Sequence, residues 1–365
     1  MSCNFCSREP AEGALSGSNL CLVPATLDVH EIVADVLAEH NVLFERRGPL
    51  LALLDYGEPS RVVELLRHIL TDTEKRDLMV ASIGASGFPE RHSLDDWWGM
   101  REASWFDHAL SRSLFSTWFQ PVVDTACDGI VGYECLTRLR TGSGGSTRNY
   151  SGAEIFDAAQ LRRQERILDS QLRRLAIERA AEREGTGAIF VNFLPQAIYD
   201  PEICLADAMA AIDECGMEPN RVVFEAVQAL DFEPAHLGRI GDWARQEGCR
   251  FSIDDVGAGR DAAVLVGDLR PDFIKLAASL THNVETPAGA TAVRRLVEVA
   301  DRVGTAVIAK HVENSRTMEN LWLLSVRFMQ GYLFGRPAPE PVAPKQGLLN
   351  LIAAMDPECT AEYSN

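Results

Sequence analysis

Glu134, Asn192, Glu225 and the pair Asp254-Asp255 each fall where a short apolar run stops, and Lys275 and Lys310 close two further runs in the same way. Carboxylates gathered around one mouth repel one another and raise each other's pKa unless cations stand among them. Carboxylate and amide oxygens are also the donors that hard divalent cations prefer. These residue types therefore predict a cation-lined site. Lys310 departs from the pattern, because it brings an ammonium where a further acid is expected.

The elements that must carry these side chains can be read from hydrophobic rhythm. From Trp118 onward, short apolar segments (TWFQPVV, GIVGYECL, AIFVNF, VVFEAV, RFSIDD, DFIKLA, AVIAKHV, RFMQGYLF) alternate with amphipathic helices. The helices are predicted over 154–182, near 203–214, over 234–247 and 288–303, and near 315–324, with a short one after the aspartate pair. That rhythm belongs to an α/β fold. An open doubly wound sheet concentrates its site between two strands. Here the polar residues close at least five different strands, which a (β/α)8 barrel gathers at one face.

Composition bounds the rest. The chain has 365 residues, enough for one barrel and a smaller module, and its 46% hydrophobic and 24% charged residues predict a globular protein. A net charge of −18 disfavours nucleic-acid polymers and anionic membrane surfaces. No apolar run approaches the roughly 20 residues that span a bilayer, and MSCNFCSREP has no signal pattern, so the expected location is the cytoplasm. Nine scattered cysteines fit reduced thiols.

Residues 1–105 read as a small, mainly helical module of unassigned role, with helical spacing over Leu27 to Phe44 and Arg61 to Leu70. Residues 106–350 read as the barrel domain and 351–365 as a tail. Cys3 and Cys6, with Cys21, resemble half of a zinc site, and His30 is the nearest candidate for a fourth ligand.

Taken in order, Phe119-Gln120-Pro121, Gly132-Tyr133-Glu134-Cys135-Leu136, Val191-Asn192, Phe224-Glu225, Asp254-Asp255, Ile274-Lys275 and Gln330-Gly331-Tyr332 together resemble the EAL domain of bacterial cyclic di-GMP phosphodiesterases over roughly residues 110–340. Phe119-Gln120-Pro121-Val122-Val123-Asp124 is similar to the family's opening Tyr-Gln-Pro-Ile-Val-Asp, and Glu134-Cys135-Leu136-Thr137-Arg138 resembles its naming segment. Val191-Asn192, Phe224-Glu225, Asp254-Asp255-Val256-Gly257-Ala258-Gly259, Asp272-Phe273-Ile274-Lys275 and Gln330-Gly331-Tyr332-Leu333-Phe334 follow in the family's order.

The resemblance implies a modified TIM-like (β/α)8 barrel that binds cyclic di-GMP across its mouth. Active members use two Mg²⁺ or Mn²⁺ ions to cut one phosphodiester and release pGpG. By motif position, Glu134, Asn192, Glu225 and Asp254 would hold the first ion, and Asp254 with Asp255 would reach the second. Lys275 would position water or phosphate, while Gln120, Arg138, Gln330 and Glu313 would face the ligand. The family also forms dimers, so a homodimer is expected alongside any protein partner of the N-terminal module.

Three departures shape the functional expectation. The family's Ala-Glu-Gly-Val-Glu reads Ala309-Lys310-His311-Val312-Glu313. An ammonium about 5 Å from a divalent ion is opposed by about 6–7 kcal/mol at an effective dielectric near 20. Lys310 is therefore expected to pair with Asp255 in the place of the second ion. The family's Glu-x-x-Glu reads Glu225-Ala226-Val227-Gln228, and the loop after the aspartates changes at Val256, Ala258 and Arg260. The expected protein is a degenerate EAL-type member that binds cyclic di-GMP or a protein partner with little or no hydrolysis. The alternative is a working metal-dependent phosphodiesterase that produces pGpG.

Overall fold

Short leucine- and valine-rich runs near the N-terminus pair as strands. β1 (Leu20–Pro24), β2 (Phe44–Arg47), β3 (Leu50–Leu53), β4 (Leu78–Ile83) and β5 (Pro89–Ser93) form an antiparallel sheet in the order β2-β3-β1-β4-β5. This is a computed structural model, and it describes residues 20–54, 59–83, 89–126, 129–141, 148–183, 187–229 and 232–344. The helices Leu27–Glu39 and Pro59–Ile69 contribute Val33, Leu37, Val63 and Leu66 to a core shared with Leu22, Leu51 and Val80. Thr26 caps the first helix by accepting a hydrogen bond from the Val29 amide.

The sheet extends the sequence reading of a mainly helical module. The helical pattern over 27–44 stops at Glu39, and Phe44 already opens β2. Apolar runs of four to six residues do not separate helix from strand by periodicity, so these strands were hidden. β5 begins with Pro89 at an edge of the sheet, where a missing N–H does least harm.

The chain divides into two compact units, Met1–Leu114 with Ala153–Glu165, and Phe115–Gly152 with Arg166–Asn365. Within the first unit the returning segment is fastened by a buried Arg162 paired to Asp107, to which Gln164 Nε2 also donates at 3.4 Å. The helix expected over 154–182 is two helices, Gly152–Leu161 and Glu165–Ala181. Arg163, with φ 54°, turns the chain between them.

The second unit closes a barrel. Its strands are β6 (Phe115–Asp124), β7 (Gly129–Thr141), β8 (Arg148–Tyr150), β9 (Ala188–Phe193), β10 (Val222–Ala226), β11 (Arg250–Val256), β12 (Phe273–Leu276), β13 (Ala306–Ala309) and β14 (Phe328–Met329). The order β6-β14-β13-β12-β11-β10-β9-β7 returns to β6 through β6–β7 pairing, and β8 extends β7. β6 is antiparallel to both neighbours, whereas β7 and β9 to β14 run parallel. The reversal follows from chain length. Only Thr125 to Asp128 separate β6 from β7, far too few for a crossover helix.

Val122, Ala188, Phe190, Val223, Phe273 and Ile308 fill one barrel layer, with the Phe190 and Phe273 rings 5.2 Å apart. A filled lumen leaves the mouth at the C-terminal ends of the parallel strands as the place for a site. Among the described residues, no helix is long and apolar enough to cross a membrane.

Candidate functional site at the barrel mouth

Strand register brings the first acids together. Gln120 on β6 is the register partner of Glu134 on β7, and Asn192 on β9 is that of Glu225 on β10. Asn192 Nδ2 donates to Glu134 Oε1 at 3.0 Å, and Gln330 Nε2 donates to Glu134 Oε2 at 2.7 Å. Gln330 Nε2 also reaches Gln120 Oε1 at 3.3 Å, while Gln120 Nε2 donates to the Gly335 carbonyl at 3.2 Å. Four residues, Gln120 on β6, Glu134 on β7, Asn192 on β9 and Gln330 just after β14, thus share one hydrogen-bonded network.

Lys275, on β12, enters this network from below. Its side chain is fully buried, with Nζ 2.9 Å from Glu134 Oε2, 2.7 Å from Glu225 Oε1 and 4.9 Å from the Phe190 ring centroid. Burial alone would deprotonate such an amine, but Glu134 and Glu225 outweigh it and hold the ammonium.

The two glutamates then divide unequally. Burial disfavours the Glu134 charge, yet Lys275 and the Asn192 and Gln330 amides bring its pKa down to about 2. Burial of Glu225, which lacks such amide donors, raises its pKa to about 8, with Glu134 and Asp254 adding repulsion. One buried ammonium cannot neutralise two carboxylates, so the less solvated one retains its proton.

The aspartates depend on an irregularity of β11. Adjacent residues on a regular strand face opposite sides, but β11 shifts register against β12 between Ile253 and Val256. Asp255 there takes a left-handed backbone, φ 60°. The bulge lets both carboxylates meet one group. Lys310 Nζ lies 2.6 Å from Asp254 Oδ1 and 3.4 Å from Asp255 Oδ1. The expected Lys310–Asp255 pair is thus the longer contact, and the shorter one is to Asp254. Burial works against the Lys310 charge, but Asp254 raises its pKa above the usual value.

Lys310 follows β13 and is held by the segment behind it. His311 has φ 57°, a backbone region that favours glycine, at the position where the resemblance expects Gly. Val312 N donates to the Gln330 carbonyl and Leu333 N to the Val312 carbonyl. A Cβ on Gly331 would lie 2.1 Å from Val312 O, so this approach requires glycine. His311 packs against His282 with ring centroids 5.9 Å apart. Burial, then Lys310, depress its pKa.

Above these groups opens a pocket of about 300 Å³. Its lining includes the expected Gln120, Glu134, Arg138, Lys310, Glu313 and Gln330, with Leu136, His311, Tyr332 and Pro337 beside them. Arg336 stacks on Tyr332 at 4.1 Å and Arg138 on Trp118 at 5.7 Å. Sequence reasoning missed Phe190 and Trp118. Each stands two residues before an expected site residue, Asn192 and Gln120, so the strand period of two carried the signal.

The fit to a divalent cation differs between the two expected positions. Asn192 Oδ1 and Glu225 Oε2 are buried without a hydrogen-bond partner, and with Glu134 they offer the hard oxygen donors such an ion takes. Around Asp254 and Asp255 the fit fails, because the Lys310 ammonium contacts both carboxylates. Among the described residues, no group of three or more His, Cys, Asp or Glu is arranged to hold a metal. Cys3 and Cys6 of the zinc expectation lie outside the described residues, and Cys21 is a free, half-buried thiol.

With this geometry established, the likeness to known proteins is specific. A family model described as EAL domain matches residues 103–337. A protein of Escherichia coli (strain K12) bearing the name "Probable cyclic di-GMP phosphodiesterase PdeN" is 25% identical over 236 residues, 63% of this chain and 45% of its own length. The chain thus spans less than half the length of that relative. The structure of a standalone EAL protein from Vibrio cholerae O395 in its c-di-GMP-bound form superposes with a TM-score of 0.57 at 25% identity, covering 63% of this chain and 95% of that one. The FimX EAL domain of Xanthomonas citri, in complex with c-diGMP, shares the fold at 19% identity and a TM-score of 0.58, covering 66% and 95%.

Proposed function

The chain belongs to the EAL-domain family, and from that premise we propose that its mouth pocket binds cyclic di-GMP with little or no hydrolysis, in second-messenger signalling. The observation that carries this reading is the Lys310 ammonium on Asp254 Oδ1 at 2.6 Å. A cation already neutralises the carboxylate that two metal ions would share, so a second divalent ion meets repulsion where it needs ligands.

The residues present suit an anionic ligand without that ion. Lys310 and Arg138 face the pocket with positive charge, while Gln120, Gln330 and Glu313 offer hydrogen bonds to the bases or ribose. Lys275 lies beneath as the buried counter-charge of Glu134 and Glu225. Glu134, Asn192 and Glu225 would hold one Mg²⁺ or Mn²⁺. When bound, such an ion polarises a phosphoryl oxygen and acidifies water. Asp255 remains largely exposed, which suits a role in orienting Lys310.

The unpartnered Asn192 Oδ1 and Glu225 Oε2 favour a second reading, in which one ion suffices for slow hydrolysis to pGpG. In either reading we place the protein in the cytoplasm, with residues 1–105 receiving a signal or a protein partner.

Titration calorimetry with cyclic di-GMP, in EDTA and again in Mg²⁺ or Mn²⁺, separates these readings when run beside chromatography of pGpG. Binding without turnover is expected. Steady turnover establishes the phosphodiesterase, and absence of binding in every buffer overturns the ligand assignment.

A further inference from the structure

Among the described residues, Arg138 is the one arginine lining the pocket, and it pairs with none of the carboxylates there. It lines the pocket that also exposes Glu134 and Glu313, yet among the described residues its hydrogen bond is Nη1 to the Thr137 carbonyl, at 2.8 Å. Its guanidinium instead lies over the Trp118 ring, with Cζ 5.7 Å from the centroid. We infer that Trp118 is a positioning residue. It holds Arg138 away from the acids of the mouth and aimed at the ligand. The inference rests on the cyclic di-GMP reading above.

The strand geometry supports this role. Trp118 precedes Gln120 by two residues on β6, and its register partner on β7 is Leu136, which lines the pocket two residues before Arg138. Trp118 and Arg138 are therefore neighbours on a diagonal of one antiparallel pair, the spacing at which long side chains meet. Both are only half-buried, so the stack lies beside the pocket and not in the barrel core.

Burial depresses the Arg138 pKa, and the charge of Glu134 works against that shift. Without the ring, a guanidinium in this mouth has a carboxylate to swing toward. With the ring, its plane is fixed and its remaining N–H groups stay available to acceptors on the ligand. Those acceptors are phosphate oxygens or the O6/N7 edge of guanine, which arginine reads with the same fork.

The test is calorimetric binding of cyclic di-GMP to the full chain carrying Trp118→Phe, Trp118→Leu, Arg138→Ala, or Trp118→Leu with Arg138→Ala. Phe keeps a π face and retains affinity within about twofold, whereas Leu keeps apolar bulk and loses about 3- to 30-fold. In the Arg138→Ala background, the Leu substitution changes affinity by less than about twofold, because the ring acts through the guanidinium. Cyclic di-AMP, which shares the phosphates but lacks the guanine edge, shows which acceptor Arg138 takes. If it loses as much as cyclic di-GMP on Trp118→Leu, the partner is phosphate. Loss confined to cyclic di-GMP means the guanine edge.

Unchanged affinity in Trp118→Leu overturns the inference, as does an equal loss with and without Arg138. Either result leaves binding by the unmodified protein intact. If the unmodified protein fails to bind, the ligand reading falls and this inference falls with it.

Discussion

The Lys310 ammonium lies 2.6 Å from Asp254 Oδ1, closer than the 3.4 Å that separates it from Asp255 Oδ1. The lysine thus engages the aspartate whose side chain is 16% exposed, and not only Asp255, which is 63% exposed. By the resemblance Asp254 would serve both metal ions, so a single substitution alters the charge of both positions at once.

Removing that ammonium should expose the defect. Lys310→Glu restores an acid beside Asp254 and Asp255, and cyclic di-GMP turnover is expected to rise at least about tenfold with Mg²⁺ or Mn²⁺, equivalent to about 1.4 kcal/mol of transition-state stabilisation. Chromatographic detection of pGpG measures it. Equal rates in the two proteins would place the block elsewhere in the site.

Lys275 carries a different burden. It is fully buried between Glu134 and Glu225, and Lys275→Met leaves the ionised Glu134 without its counter-charge. Removing one partner of a buried pair costs about 3–5 kcal/mol. Urea denaturation should show that loss, and adding Glu134→Gln should recover part of it. A stability unaffected by Lys275→Met would mean that both glutamates are neutral.

The same cluster sets a pH dependence with a definite sign. Glu225 keeps its proton in the folded chain up to about pH 8, while its ordinary value is 4.5. Folding takes up a proton between those values, so this contribution to stability is complete below 4.5 and is lost as pH rises toward 8. Glu134, held down at about 2, acts oppositely: its contribution is complete above 4.5 and is lost as pH falls toward 2. Urea midpoints from pH 5 to 9 in EDTA should decline up to about pH 8 and level off above it, and Glu225→Gln should flatten that decline. A decline of the same size in the variant would assign it to another group.

His311 occupies a left-handed conformation at φ 57° with no glycine to relieve it. His311→Gly is expected to stabilise the chain by about 1 kcal/mol, the backbone strain of an L-residue there less the entropy glycine adds to the unfolded state. Its unfolding free energy decides this. A loss of stability would show that the packing of His311 against His282 outweighs the strain.

Much of this molecule was legible in its sequence for a local reason. Polar residues interrupt the apolar runs, Glu134 in the middle of β7, which continues to Thr141, and Asn192, Glu225, Asp254 and Lys275 near the ends of their strands. Apolar runs of that length between amphipathic helices have few architectures open to them. Lys310 was legible as an anomaly, because a charge reversal is visible without coordinates. The N-terminal sheet was not, since β1, β3 and β4 are too short and too leucine-rich for periodicity to tell strand from helix.

Other features exist only in three dimensions. The bulge between Ile253 and Val256 turns two adjacent aspartates onto one ammonium, and no spacing rule reports a register shift set by a neighbouring strand. The unequal ionisation of Glu134 and Glu225 arises from how each is buried, from the charges around it, Lys275 first for Glu134, and from the Asn192 and Gln330 amides that reach Glu134 alone. The Trp118–Arg138 stack depends on the pairing of β6 with β7. Residue type and order determined the family and the chemistry available. Barrel closure decided which charges meet, because electrostatic energies follow distance and burial, and both are properties of the folded chain.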